Sequence, residues 1–133
     1  MRTFVAVLSL ATLTLALTGC GPSAREDKAE SAAERFAGTL RQDDGGAACD
    51  MLAPETRRDL EDASDAPCAE AIIEEHLPDI GTPGEVYVYG HEAEVRGDGD
   101  TLFLTDYGGR WLVVAAGCEP RSGRPYDCAL KGA

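Results

Sequence analysis

From Glu85 to Ala116 apolar and polar residues alternate, and three short glycine-bearing turns divide the run. A period of two sends successive side chains to opposite faces of a strand, so the pattern commits this part of the chain to a half-buried antiparallel sheet. Gly90-His91 suits a two-residue turn with glycine first, Asp98-Gly99 suits the mirror-image turn, and Gly108-Gly109 suits a third. Counting outwards from the turns pairs Val88 with Ala93, Val86 with Val95, Val95 with Leu102, Ala93 with Leu104, Leu104 with Val113 and Leu102 with Ala115. One face then carries Val86, Val88, Ala93, Val95, Leu102, Leu104, Trp111, Val113 and Ala115, and is expected to meet the rest of the protein. The other carries Tyr87, Tyr89, Glu92, Glu94, Phe103, Leu112 and Val114, with Glu85 opposite Arg96.

Upstream the period is helical. Ala29, Ala32, Ala33, Phe36, Ala37 and Leu40 form a stripe, with Glu30, Glu34, Arg35 and Arg41 off it. Asp43-Asp44-Gly45-Gly46 is expected to end that helix. A short helical piece carries Cys49, Met51 and Leu52, Pro54 opens another with Glu55 near its positive end, and Pro67 starts a third bearing Cys68, Ala71 and Ile72, which Pro78 stops. Helices followed by hairpins predict an α+β protein: N-terminal helices packed on a curved antiparallel four-strand meander, a single domain over residues 29–133.

The chain begins with a charged Arg2 and an apolar run from Phe4 to Leu17, too short for a comfortable membrane span, which takes about 20 residues. The run closes on Leu17-Thr18-Gly19-Cys20, which resembles the lipobox of bacterial lipoproteins. That resemblance implies that residues 1–19 are a signal peptide and that Cys20 becomes the diacylglycerol-bearing first residue. The protein is then expected on the outer face of the cytoplasmic membrane, with the bilayer as a partner. Gly21 to Lys28 is polar and reads as a tether (residues 20–28 with the lipidated cysteine), reaching under roughly 30 Å at about 3.5 Å per residue.

Export places Cys49, Cys68, Cys118 and Cys128 in an oxidising compartment, where they are expected to pair. Three connectivities exist, and local closure favours Cys49 to Cys68 and Cys118 to Cys128. A four-thiolate zinc site would show close cysteine pairs, and these spacings lack them. Each bridge should contribute on the order of 3 kcal/mol to so small a domain.

The formal charge is −12, with eighteen acids between residues 43 and 106 against Arg57, Arg58 and Arg96. Such a surface disfavours nucleic acid and anionic lipid heads. It suits a solvated exported protein, or else a cation site or a basic partner.

The run Gly90-His91-Glu92-Ala93-Glu94-Val95, then Asp100-Thr101-Leu102-Phe103-Leu104, then Gly109-Arg110-Trp111-Leu112-Val113-Val114-Ala115-Ala116-Gly117-Cys118, resembles small exported lipoproteins of high-GC Gram-positive bacteria. Their sheet is similar to the NTF2-like (SnoaL-like, cystatin-like roll) superfamily, in which a curved sheet wraps a helix layer around a conical cavity. Enzymes of that superfamily place an Asp or His inside the cone, so the resemblance turns attention to His76, His91 and Asp106. His91 falls at a hairpin tip and His76 at a helix end, where polar residues need no further role. Asp106 shares the apolar face with Trp111 and is the one carboxylate expected to project towards a cavity. No nucleophile elbow, zinc-protease helix or phosphate loop is present, and no cofactor or resident metal is implied. Gly97-Asp98-Gly99-Asp100-Thr101-Leu102 matches one turn of a calcium-binding repeat, but such repeats act in stacks, and a hairpin turn explains it.

A non-catalytic, membrane-anchored binding domain is the function expected. The alternatives are a small SnoaL-like enzyme working through Asp106 and an acidic cation-binding envelope protein. Tyr87, Phe103, Leu112 and Val114 form a candidate interaction face for an envelope protein or a second copy, unless the C-terminal segment covers them.

Overall fold

The computed structural model describes residues 22–132; the expected signal peptide, residues 1–19, and Cys20 lie outside the described residues. Four helices precede five strands: α1 Pro22–Arg41, α2 Gly45–Asp50, α3 Pro54–Ser64, α4 Cys68–Glu74, β1 Pro83–Tyr89, β2 Glu92–Gly97, β3 Thr101–Tyr107, β4 Arg110–Arg121 and β5 Arg124–Lys131. The strands form one antiparallel sheet in the order β1-β2-β3-β4-β5. The protein is α+β, with one strand more than the four expected.

α1 starts at Pro22, so most of the expected tether is helix. Proline suits the first helical position, where its missing N–H is not needed. Ala29, Ala32, Ala33, Phe36 and Ala37 are buried in a core shared with Val95, Leu102, Leu104 and Val113 of the sheet. Alanines let the helix lie close on the strands, while Phe36 supplies the bulk. Burying that ring alone contributes about 1.5–3 kcal/mol.

The helix ends at Arg41, as Asp43-Asp44-Gly45-Gly46 predicted, and Asp43 just beyond it takes left-handed backbone (φ 53°). Gly45 and Gly46 begin α2, capped by Asp44, whose carboxylate accepts the Ala47 N–H at 3.0 Å. Gly45 is there for proximity: a Cβ on it would stand 2.0 Å from the Ala69 carbonyl oxygen of α4. The Cys49–Cys68 bridge holds the same two helices together, as its spacing predicted.

The hairpin registers follow the outward count through β1, β2, β3 and the first half of β4, including Val86 with Val95, Val95 with Leu102 and Leu104 with Val113. Beyond Val113 the count fails. A bulge pairs Ala115 with Phe103 instead of Leu102, so Ala115 leaves the core face and Ala116 enters it. The cause is long-range: the Val114 carbonyl accepts the Gly132 N–H at 3.0 Å and the Thr56 hydroxyl at 3.1 Å. On the same edge of β4, Leu52 makes a parallel bridge to Val113, so the link between α2 and α3 covers the stretch that β5 does not reach.

β5 returns from a turn at Ser122-Gly123, and the Cys118–Cys128 bridge joins residues directly opposite on β4 and β5. The β2–β3 turn sits at Asp98-Gly99, but neither residue has the positive φ of the mirror-image type. The chain at Asp79–Thr82 lies against it instead: the Gly99 N–H reaches the Ile80 carbonyl at 3.0 Å, and side chains on Gly97 or Gly99 would strike Ile80 or Asp79.

Candidate functional site

Asp106 stands opposite Trp111 on the inner face, as its register required, and its carboxylate is engaged by its neighbours. Its carboxylate accepts the Gly109 N–H at 2.6 Å, closing the β3–β4 turn. Its other oxygen lies 3.6 Å from the Arg25 guanidinium of α1, and the side chain is 15 % exposed. Arg25 also sits 5.5 Å from the Trp111 ring centroid and donates to the Gly90 carbonyl in the β1–β2 turn. One α1 cation thus ties both turns at this end of the sheet to the helix. Trp111 is 6 % exposed and belongs to the core.

His91 is exposed at the β1–β2 turn, and its carbonyl accepts the Asp106 N–H at 2.7 Å. His76 follows the end of α4 in left-handed backbone (φ 48°), exposed, with Nδ1 against the Glu74 carbonyl. His91 and Asp106 are thus backbone neighbours at one end of the sheet, while His76 lies apart from them beyond α4. His76, Glu119, Asp127 and the Cys118–Cys128 bridge border an open cleft of 420 Å³. Among the described residues, no three His, Cys, Asp or Glu side chains converge as metal ligands would.

Asp100, read from the sequence only as part of a turn, forms the most completely bonded polar site. Its carboxylate accepts N–H groups from Thr101 at 2.7 Å, Gly117 at 2.8 Å and Cys118 at 2.9 Å. Gly117 has positive φ (64°), which turns two successive β4 amides toward one point and makes a small anion nest. Burial pushes the Asp100 carboxyl above its ordinary range, and the three amides pull against that shift.

The outer face of the sheet is an aromatic and charged ladder rather than a bare apolar patch. Arg96 lies over the Tyr87 ring, 5.0 Å from its centroid, and Tyr87 stacks beside Tyr89 with centroids 6.4 Å apart. Arg96 bonds Glu94 at 2.7 Å and Glu85 at 3.3 Å; Glu94 in turn accepts the Tyr126 hydroxyl at 3.0 Å. These contacts raise the Arg96 pKa, chiefly through Glu94, and the Glu85 charge raises that of Tyr87.

Tyr126 of β5 also meets Phe103 edge-on, with centroids 5.1 Å apart. Of the expected interaction face, Leu112 is 7 % exposed, while Tyr87, Phe103 and Val114 are half-buried. Tyr126 packs on Phe103 and Leu112 is buried, so the expected face is covered in part. What remains exposed is at the sheet's end, where Tyr89 is 69 % and Tyr107 42 % exposed. Tyr107 donates its hydroxyl to Glu55 at 3.0 Å, which lowers the Glu55 pKa after that residue's own amide and raises that of Tyr107.

Comparison with known proteins finds no matching family model, no similar curated protein and no similar solved structure.

Proposed function

We propose that the chain is an extracytoplasmic lipoprotein domain, anchored to the outer face of the cytoplasmic membrane through Cys20, that acts by binding rather than by catalysis. The observation that carries the second half is the occupied interior. The volume that an NTF2-like enzyme would leave open for substrate is taken by Phe36 and the α1 alanines, and Asp106 is spent on a turn amide and Arg25. A helix laid across an antiparallel meander is the layer order expected of a cystatin-like roll, and two disulfides suit an oxidising compartment. Fold likeness alone supplies no site, so the binding role rests on the surface.

Chemical cross-linking of the protein in intact cells tests this. A discrete adduct that persists in Asp106→Asn supports a binding role. A monomer at every cross-linker concentration, together with a turnover that Asp106→Asn abolishes, contradicts it.

A further inference from the structure

The start of α1 decides how the domain would sit on a membrane. Gly21 alone separates Cys20 from Pro22, so their Cα atoms are within about 7 Å of each other. A lipid on Cys20 is then held at whichever end of the domain carries the start of α1. Arg25 identifies that end, because it reaches Gly90 in the β1–β2 turn and Asp106 and Trp111 beside the β3–β4 turn. The other end of α1 is marked by Arg41, which bonds Asp79 at 3.0 Å beside the β2–β3 turn.

Tyr89 and Tyr107 are the large apolar side chains left exposed among the described residues. Each is the last residue of its strand before a turn at the Cys20 end: Tyr89 before Gly90, Tyr107 before Gly108. Both belong to the outer face, since Tyr89 pairs with Glu92, Glu92 with Thr105, and Tyr107 lies two residues beyond Thr105. A tyrosine joins an apolar ring to a polar hydroxyl, the chemistry that suits the headgroup layer of a bilayer.

We infer that this end of the domain rests in the lipid headgroup layer, with Tyr89 and Tyr107 in contact with it, and that the β2–β3 turn and the β4–β5 hairpin tip face away from the membrane. This rests on the lipid-anchor reading of Cys20.

The experiment uses lipidated protein purified from membranes and reconstituted into phosphatidylcholine vesicles brominated near the headgroup. Tyr89→Trp, Tyr107→Trp and Arg124→Trp each add one indole to the constant signal of Trp111, and the quenching of the added fluorescence is read. The inference expects at least half of it to be lost at 89 and 107, and almost none at 124. If Tyr107→Trp unfolds through loss of its bond to Glu55, Tyr89→Trp against Arg124→Trp decides alone. Equal quenching at 89 and 124 in protein that floats with the vesicles overturns the orientation while the anchor stands. Protein whose mass shows no diacylglycerol and that does not float overturns both.

Discussion

Removing the Asp100 carboxylate should cost more stability than any other single polar change in the sheet. Asp100→Ala leaves the Thr101 and Cys118 amides without their acceptor at buried positions, while the half-buried Gly117 amide is free to recruit water. Each stranded buried donor costs about 1–3 kcal/mol, and relief of the buried charge returns part of that, so a net loss of about 2–4 kcal/mol is expected. Asp100→Asn keeps one acceptor but turns an N–H toward another donor, and should lose about 1–3 kcal/mol. Burial raises the folded-state pKa of Asp100, so the native protein holds this proton more tightly than the unfolded chain. The stability of the wild type relative to Asp100→Asn should therefore fall as pH rises from the usual aspartate pKa, near 3.9, to the raised value, and level off above it. Urea unfolding followed by circular dichroism between pH 3 and pH 7 measures both effects. If both variants lie within about 0.5 kcal/mol of wild type at neutral pH, the amides do not need this acceptor and the account of the Asp100 nest is wrong.

Reduction followed by thiol blocking should remove about 3 kcal/mol through the Cys49–Cys68 loop and about 2.5 kcal/mol through the shorter Cys118–Cys128 loop, measured separately as paired Cys→Ala variants. Gly45→Ala should destabilise by about 1–3 kcal/mol in melting experiments, because its methyl meets the Ala69 carbonyl; a neutral result would remove proximity as the reason for glycine. Asp79 should titrate below the ordinary aspartate range by carboxyl NMR, and Arg41→Ala should leave part of that depression, since the Gly81 amide is its largest single cause. The stability Asp79 supplies is complete above the usual aspartate pKa and is lost as pH falls through its lowered value. Phe103→Asp should lower the melting temperature of the isolated protein, because the ring packs against Tyr126; an unchanged melt would restore Phe103 as a free docking residue.

The parts of the fold written in local chemistry were legible in the sequence. Alternation and turn glycines set the register of three strands, and cysteine spacing gave both bridges. What escaped depends on partners distant in the chain. The bulge at Val114 is set by Thr56 and Gly132, and the helical start at Pro22 is joined to the sheet by Arg25, which meets Gly90 and Asp106 only after folding. β5 was hidden by Pro120, Pro125 and its charges, though counting outwards from Ser122-Gly123 through Arg121 and Arg124 leads close to the Cys118–Cys128 pair. Asp106 was placed on the correct face, but the helix cation that occupies it could not be assigned from periodicity. Asp100 passed as a turn residue because nothing nearby announces the Gly117 nest.

The account turns on Cys20, and intact-mass analysis of the mature protein tests it most directly when combined with cell fractionation. The account predicts a chain beginning at Cys20, heavier by a diacylglyceryl group, in the membrane fraction, and a Cys20→Ser variant that carries no lipid and leaves that fraction. A wild-type protein of unmodified mass, distributed between fractions as Cys20→Ser is, would contradict it.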